Sequence, residues 1–263
     1  MSLLNGTVLV TGATGGIGQA IARALASRGA SLILTGRRTE VLEPLATEVG
    51  GRAVACDLSS RQDVLRLIRE ADRVDVLVAN AALPASGVFT ELEQAQIDRM
   101  LEVNLRAPIA LARALAPAMI ARRSGHIVLI SSLAGKVASP ASAIYAATKF
   151  GLRGFAHGIR EDLRPYDVGV SVVLPGFIRD AGMFAEAEVK LPRGVGTRTP
   201  QDVAVGVIRA IEDNRAEVEV APLGLRLGAA FGALAPELAA TASRKMGGDQ
   251  VASEVAAGQS DKR

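Results

Sequence analysis

The sequence predicts an α/β fold in which one parallel sheet is covered by helices on both faces. Apolar runs of strand length alternate with longer stretches of helical periodicity along most of the chain. Two of these runs, 76–79 and 127–130, are continuously apolar, which is typical of parallel strands buried on both sides. A length of 263 residues suits one large domain of this kind.

The expected elements follow each other in regular order. We expect strands over 7–11, 31–35, 52–56, 75–79, 126–131, 169–174 and 217–221. We expect helices over 17–28, 39–49, 60–71, 90–121, 143–164 and 200–214. Ser59 or Ser60, and Thr199 with Pro200, have the residue types that begin helices. This alternation implies right-handed crossovers and a doubly wound sheet of about seven strands.

The domain organisation is expected to be simple. Residues 1–222 are expected to form the main domain, 223–246 a helical extension, and 247–263 a polar, frayed tail. The run 223–242 is apolar, but Arg226, Pro236 and Glu237 interrupt it, so we expect no membrane span there. Subunit packing is the first interpretation of the extension; covering the substrate pocket and lying on a membrane surface are the alternatives.

Composition disfavours several classes of function. A net charge of +3 with 3% aromatic residues gives no basic, aromatic-rich surface of the kind that binds nucleic acid. Cys56 is the one cysteine, which excludes an internal disulfide and agrees with a cytoplasmic location. We expect Cys56 to be a small buried residue rather than a reactive thiol. The two histidines lie in different elements, so no metal site is expected.

A glycine-rich segment, TGATGGIG at 11–18, connects the first strand to the first helix. Gly12 permits a tight turn out of the strand, Gly16 allows the backbone to approach a diphosphate, and Gly18 allows the helix to pack on the sheet. The alternative is a flexible surface loop, but the strand before it and the helix after it favour a Rossmann-like dinucleotide-binding unit.

The end of the second strand indicates which dinucleotide binds. NAD-binding units usually place an acid about 20 residues after the glycines, to hold the ribose 2′-hydroxyl. Here Gly36 takes that place, and Arg37 and Arg38 follow. Arginine can bind a 2′-phosphate, so NADP(H) is favoured over NAD(H). The alternative is a solvated helix start, which the helix dipole disfavours for two cations.

Four polar residues indicate acid–base chemistry. Tyr145 and Lys149 are four positions apart on an expected helix, where an ammonium would favour the phenolate. Ser132 follows an apolar strand at the carboxyl edge of the sheet, where it could bind a substrate oxygen or merely close a turn. Asn104 lies in an otherwise apolar helical stretch, either as a satisfied core amide or as part of a proton relay.

Together these residues resemble the short-chain dehydrogenase/reductase family over about 5–222. TGATGGIG is similar to the family's cofactor motif, and Asp57-Leu58 to its adenine contact. Asn80-Ala81-Ala82 resembles its Asn-Ala-Gly motif, with Ala82 in place of the glycine. Asn104, Ser132, Tyr145 and Lys149 match its catalytic tetrad in order and spacing. Pro175-Gly176 matches the turn that follows the sixth strand.

The resemblance implies an oxidoreductase that interconverts a carbonyl group and an alcohol. Tyr145 would donate or accept the proton, and Ser132 would orient the substrate oxygen. Lys149 would lower the pKa of the tyrosine and bind the nicotinamide ribose. The main-chain carbonyl of Asn104 would hold a water molecule that continues a proton relay. The cofactor contacts implied by the motifs are Gly12, Thr14, Gly16, Ile17, Gly18, Arg37, Arg38, Asp57, Leu58, Asn80, Ala81, Tyr145, Lys149, Pro175, Gly176 and Ile178.

One departure from the family pattern lies after the sixth strand. Family members often read Pro-Gly-x-x-x-Thr, but Asp180 stands where the threonine is expected. An ionised carboxylate cannot donate a hydrogen bond and would repel phosphate. We therefore expect the Ile178 N–H to contact the carboxamide oxygen of the cofactor, and we leave the role of Asp180 open.

The surroundings suggest a hydrophobic ketone, aldehyde or secondary alcohol as the small-molecule substrate. Residues 181–199 are expected to form a lid or an ordinary crossover, with Met183 and Phe184 as an apolar wall beside Leu83-Pro84. The resemblance also implies a homodimer or homotetramer through the helices near 90–121 and 143–164. A non-catalytic dinucleotide sensor on the same fold is the alternative function, although a sensor has no need of the Tyr145 and Lys149 pair.

Overall fold

The computed structural model of the protein describes residues 3–84, 87–182, 195–245 and 258. Within these residues the strands are β1 (Thr7–Thr11), β2 (Ser31–Gly36), β3 (Arg52–Ala55), β4 (Val76–Ala79), β5 (Gly125–Ile130), β6 (Val168–Pro175) and β7 (Glu217–Val220). They form a seven-stranded sheet in the order β3-β2-β1-β4-β5-β6-β7, and all neighbouring strands are parallel. The predicted doubly wound parallel sheet is confirmed.

The helices lie between the strands as expected. They are α1 (Gly16–Ala26), α2 (Thr39–Glu48), α3 (Arg61–Glu70), α4 (Gln94–Leu101), α5 (Ala107–Arg122), α6 (Ala143–Leu163), α7 (Pro200–Glu212), α8 (Leu223–Leu234) and α9 (Pro236–Lys245). Ser60, rather than Ser59, begins α3, because its hydroxyl accepts the Asp63 N–H at 3.2 Å. Thr199 begins α7 in a reciprocal capping box with Asp202.

The helical stretch predicted over 90–121 is confirmed as a continuous run over Gln94–Arg122, but this run is not one regular α-helix. The stretch contains α4, a π-helical segment over Glu102–Arg106, and α5. In the π segment the Ala107 N–H donates to the Glu102 carbonyl, five residues back rather than four. Pro108 has no N–H to give the Asn104 carbonyl the bond that an α-helix would form. The π segment therefore includes Asn104, one of the four polar residues that indicate acid–base chemistry in the sequence.

The core has one hydrophobic layer on each side of the sheet. On one side the strands pack against α1, α2 and α7, and on the other against α3, α5 and α6. The stretch Gln94–Arg122 has the length and apolarity of a membrane-spanning helix, with a mean hydropathy of 1.2. Its residues Leu111 and Met119, however, are fully buried in the core beside the sheet. That burial accounts for its apolar character without a membrane.

Cys56 lies just beyond the end of β3 and behaves as a small core residue. It is 3% exposed, and burial raises the pKa of its thiol to about 11. The neutral thiol therefore predominates at neutral pH, as expected for an unreactive cysteine. Among the described residues, no three His, Cys, Asp or Glu side chains gather as metal ligands would.

The fold brings the candidate residues to one edge of the sheet. The strand order reverses between β1 and β4, which opens a crevice at their carboxyl ends. The glycine loop follows β1, Asn80 follows β4, Ser132 follows β5 and Gly176 follows β6. Most of the expected lid, with Met183 and Phe184, lies outside the described residues, as does the expected tail apart from residue 258.

Candidate active site

In the glycine loop the absence of side chains lets neighbouring backbone segments lie in direct contact. Gly12 has φ +65°, and a Cβ there would lie 2.7 Å from the Ala81 Cα. A Cβ on Gly18 would lie 2.2 Å from the Gly12 carbonyl oxygen, so the start of α1 packs directly on the loop. The residue before α1 is Gly15, which has no side chain to cap the first N–H groups. These N–H groups and the helix dipole fit an anion such as a dinucleotide diphosphate.

Gly16 contacts the chain that follows β6. A Cβ on Gly16 would lie 2.3 Å from the Ala181 Cβ, and a Cβ on Gly182 would lie 3.2 Å from the Ile17 side chain. The missing side chain at Gly16 therefore has a packing reason in this structure. The expected approach of a diphosphate to Gly16 stays a prediction.

Thr11 and Asn80 join the ends of β1 and β4. The Asn80 amide donates to the carbonyls of Thr11 at 3.0 Å and Gly12 at 3.2 Å. The Thr11 hydroxyl accepts the N–H groups of Asn80 and Ala81, both at 3.1 Å. Sequence reasoning missed Thr11, although a hydroxyl residue that ends a strand beside a glycine turn was the available signal. The two residues fix the crevice in which a ligand would lie.

The two arginines after β2 have different surroundings. The Arg38 guanidinium donates to the Thr14 carbonyl at 2.6 Å and so holds the glycine loop. Arg37 is exposed at the end of the strand. Gly36 is buried, and a Cβ there would lie 2.7 Å from the Thr14 Cγ2. Arg37 is thus the freer of the two cations, while Arg38 also supports the loop.

Asp57 and Leu58 follow β3 at the same edge. Asp57 accepts hydrogen bonds from the Ser59 N–H at 2.9 Å and the Ser59 hydroxyl at 2.8 Å. Burial raises the pKa of Asp57, but these two bonds and the charges of Arg37 and Arg99 outweigh it and lower the pKa overall. Leu58 is 6% exposed and belongs to the core. Asp57 is therefore an ionised residue that shapes its own turn, and its expected contact with adenine stays a prediction.

Helix α6 places Tyr145 and Lys149 on one face, as the sequence predicts. Lys149 is 2% exposed, and its Nζ donates to the Ile130 carbonyl at 3.0 Å. The same Nζ lies 5.5 Å from the centroid of the Tyr145 ring. Burial lowers the pKa of Lys149 to about 8, because the charged form loses hydration. Lys149 can consequently lose or regain a proton near neutral pH.

Tyr145 is partly buried between Lys149 and Ser132. Burial raises the pKa of Tyr145, and a hydrogen bond with Ser132 lowers it by less. The surrounding protein groups therefore shift the pKa upward, opposite to the direction that the sequence predicts from Lys149 alone. Ser132 also closes a turn, since its hydroxyl accepts the Ala134 N–H at 3.1 Å. The turn-closing interpretation of Ser132 is confirmed, and its hydroxyl also reaches the phenol. Its expected bond to a substrate oxygen stays a prediction.

The Asn104 side chain is a satisfied core amide. It is 1% exposed; its Oδ1 accepts the Leu83 N–H at 2.7 Å and its Nδ2 donates to the Leu83 carbonyl at 2.9 Å. The amide thus ties the segment after β4 to the interrupted helix. A relay role for Asn104 rests on its main-chain carbonyl, which Pro108 leaves without its ordinary α-helical donor.

Ser131 is a second positioning residue that sequence reasoning missed. Its hydroxyl donates to the Lys149 carbonyl at 2.9 Å and is buried. A Cβ on Gly135 would lie 2.7 Å from that hydroxyl, so the loop packs closely over it. This bond fixes α6 to the end of β5 and sets the height of Lys149 above the sheet. The paired serines at 131 and 132 were the only signal in the sequence.

Ile178, in the segment after β6, forms an isolated parallel bridge with Arg198. The Arg198 N–H donates to the Phe177 carbonyl at 2.9 Å, and the Arg179 N–H donates to the Arg198 carbonyl at 2.8 Å. In such a parallel bridge the N–H of the middle residue, Ile178, points to the opposite side. Asp180 has φ +70° and lies 3.4 Å from the Arg179 guanidinium. That ion pair gives Asp180 a partner within the chain.

Comparison with known proteins agrees with this arrangement. The profile of the short chain dehydrogenase family matches residues 6–191. Ketoacyl reductase HetN of Nostoc sp. is 36% identical over 230 residues, covering 84% of this chain and 80% of that protein. The solved structure of a short-chain dehydrogenase from Sphingobium yanoikuyae in complex with NADPH has a TM-score of 0.77 at 28% identity, covering 89% of this chain and 95% of that one.

A third similar protein is a metagenomic short-chain oxidoreductase solved in complex with NADP. Its TM-score is 0.68 at 36% identity, and the alignment covers 83% of this chain and 97% of that chain. The family match spans more than half of the sequence, and the sheet has the topology of these structures. This protein therefore belongs to the short-chain dehydrogenase/reductase family and is an oxidoreductase that acts on CH–OH and C=O groups.

Proposed function

We propose that the protein is an NADP(H)-dependent reductase or dehydrogenase for a hydrophobic carbonyl or alcohol, with Tyr145 as its acid and base. The observation that carries the proposal is the grouping of Tyr145, Ser132 and a fully buried Lys149 at the carboxyl edge of the sheet. Burying an ammonium is costly, so a lysine kept in this buried position indicates a role beyond packing. A dinucleotide sensor would have no use for this grouping.

In carbonyl reduction the Tyr145 hydroxyl donates its proton to the substrate oxygen, and in alcohol oxidation it accepts that proton. Ser132 donates a hydrogen bond to the same oxygen and holds it in place. The bound nicotinamide would supply or accept the hydride. Lys149 lies behind the phenol, and its pKa of about 8 suits transfer of a replacement proton. A water molecule on the Asn104 carbonyl would connect that lysine with solvent.

The residues that would hold the dinucleotide fit it. The bare backbone at Gly12 and Gly18 and the uncapped start of α1 suit the diphosphate. The Ile178 N–H, turned away from its bridge partner, suits the carboxamide. Asp57, held in its turn by Ser59, suits the adenine. The nicotinamide ribose would then lie beside Tyr145 and Lys149.

The preference for NADP(H) rests on the end of β2. Gly36 offers no acid to the ribose, and the exposed Arg37 offers a guanidinium for a 2′-phosphate. The two similar solved proteins named above contain NADPH and NADP. The name of the Nostoc relative, a ketoacyl reductase, supports a ketone on an apolar chain as the substrate class. Direction in the cell follows from the supply of each substrate.

Substituting Tyr145 tests the catalytic assignment. Tyr145→Phe is expected to lower kcat by roughly 100-fold or more on a panel of ketones and aldehydes, because the proton donor is lost. NADPH binding, measured by titration of cofactor fluorescence, should change little. The matched control is Tyr166→Phe, since Tyr166 is the other tyrosine and is exposed at the far end of α6. Unchanged turnover in Tyr145→Phe would exclude the assignment.

Substituting Arg37 tests the cofactor. Loss of a charged hydrogen bond to phosphate costs about 1.5–3 kcal/mol, so Arg37→Ala should raise the KM for NADPH roughly 10- to 100-fold. The KM for NADH should change by less than about twofold, since NADH has no 2′-phosphate. Arg69→Ala, an exposed arginine on α3, is the control. Equal effects on both cofactors would refute the preference.

A further inference from the structure

Helix α8 has two apolar sides, and among the residues that the structure describes only one of these sides has packing partners. Ala229 is 2% exposed and belongs to the core, and Leu225 packs against the same cluster. A Cβ on Gly232 would lie 2.8 Å from the Val137 side chain. These three positions recur at intervals of three and four residues, so they form one side of the helix. That side seats α8 against the loop that follows Ser132.

The opposite side of α8 is exposed and apolar. Leu223, Leu227, Phe231 and Leu234 are 65%, 62%, 50% and 87% exposed, and they too recur at intervals of three and four. Leu238, the next large apolar residue along the chain, lies on α9 and is 66% exposed. We call these five residues the α8 face. A helix that is apolar on both sides is ordinarily buried on both sides.

We propose that a second copy of this chain covers the α8 face, each copy presenting the same face to the other about a two-fold axis. The five side chains expose about 600 Å² of apolar surface, most of the roughly 800 Å² that each partner contributes to a standard interface. Exposed apolar patches of this size usually mark an interaction site. An isologous contact between two such faces buries both at once.

The charges around α8 favour a protein partner over a membrane. Arg226 is the one charged residue of α8, and its guanidinium is paired with Glu219 at 2.7 Å. Helices that lie on anionic membranes instead carry Lys and Arg along a polar face. The cores of protein interfaces, by contrast, are depleted in charge.

Two glycines on α8 would allow the α8 helices of two copies to approach each other closely. In the described part of the chain nothing lies within 4 Å of a Cβ built on Gly224 or Gly228, so these residues leave the backbone on this flank of the α8 face open. Small residues four positions apart let two helices approach closely. A side chain added at Gly228 would have room in a single chain but would separate two packed helices. This difference makes Gly228 a useful probe.

The first experiment measures molar mass by light scattering during gel filtration. The wild type should contain at least two chains, and Leu227→Asp should halve its mass. Leu65→Asp is the matched control, because Leu65 is 55% exposed on α3, away from the α8 face. Gly228→Leu, which should also favour the helical conformation, is expected to weaken the assembly without unfolding it. A monomeric wild type, or an unchanged mass in Leu227→Asp, would overturn the proposal.

The second experiment locates the contact by cross-linking. Cys56 is 3% exposed, so the wild type should give no covalent dimer under mild oxidation. At least one of Leu223→Cys, Leu227→Cys and Phe231→Cys should give a disulfide-linked dimer, whereas Leu65→Cys should not. Absence of a dimer in all three variants would contradict a two-fold contact. The wild type should not sediment with vesicles of equal parts phosphatidylcholine and phosphatidylglycerol. If it does, the α8 face binds a membrane and the proposal is wrong.

Discussion

The buried charge of Lys149 makes a quantitative prediction about stability. Burial lowers the pKa of this lysine from 10.5 to about 8, so the charged form destabilises the folded state by about 3 kcal/mol below pH 8. Methionine has a similar length without the charge. Lys149→Met removes that penalty but leaves the Ile130 carbonyl without its donor, which costs about 1 kcal/mol. At pH 7 the variant should therefore be more stable than the wild type by about 2 kcal/mol.

The same reasoning fixes the pH dependence. The unfolded chain holds the Lys149 proton more tightly than the folded chain does, so wild-type stability rises as the pH increases from about 8 to 10.5. The Lys149→Met variant lacks this pH-dependent contribution. The difference in free energy of unfolding between the variant and the wild type should therefore shrink between pH 8 and 10.5. Urea unfolding followed by far-ultraviolet circular dichroism at each pH measures the difference, since the chain has no tryptophan.

Two results would refute this reasoning. One is a Lys149→Met protein that is less stable than the wild type at pH 7, which would mean that the ammonium stabilises the fold. The other is a stability difference that stays constant between pH 8 and 10.5. Catalysis should be lost in the variant in either case, so turnover does not substitute for the unfolding measurement.

Three further predictions concern other parts of the site and its surroundings. Asn104→Leu removes both hydrogen bonds to Leu83 and should lower the free energy of unfolding by about 2–4 kcal/mol in urea titrations. Gly18→Val places a Cβ 2.2 Å from the Gly12 carbonyl oxygen, so calorimetry should detect greatly weakened NADPH binding. Burial by itself raises the pKa of Glu217, but hydrogen bonds and ion pairs with Lys136, Arg153 and His157 outweigh it and lower the pKa to about 2, so Glu217→Gln should cost about 3 kcal/mol at pH 7. That cost should disappear as the pH falls from about 4.5 to 2, and acid unfolding curves check it.

Much of the fold could be predicted from the sequence because its signals are local. Continuously apolar runs such as 127–130 identify strands without reference to their neighbours. Ser60 and Thr199 begin helices through bonds to residues only three positions away. The same local reasoning fails at 102–106, where the apolar periodicity continues through the π segment and only the missing N–H of Pro108 indicates the change.

The site was predictable in its membership but less so in its contacts. Tyr145 and Lys149 share a helix face because they are four positions apart, and that spacing can be read directly from the sequence. The complete burial of Lys149, and with it the upward pKa shift of Tyr145, depends on how α6 lies against β5. Thr11 and Ser131 act through bonds to residues far away in the chain, and a lone hydroxyl carries no pattern.

The close contact between Gly36 and Thr14 limits how the coenzyme preference of this chain can be redesigned. An aspartate at position 36, the usual acceptor for an unphosphorylated ribose, would bring its Cβ within 2.7 Å of a stiff, buried threonine methyl. Protein engineers would therefore need to shorten residue 14 in the same step, for example with Thr14→Ala and Gly36→Asp together. Gly36→Asp alone would meet the Thr14 methyl, so its effect depends on the residue at position 14, and the two positions are epistatic.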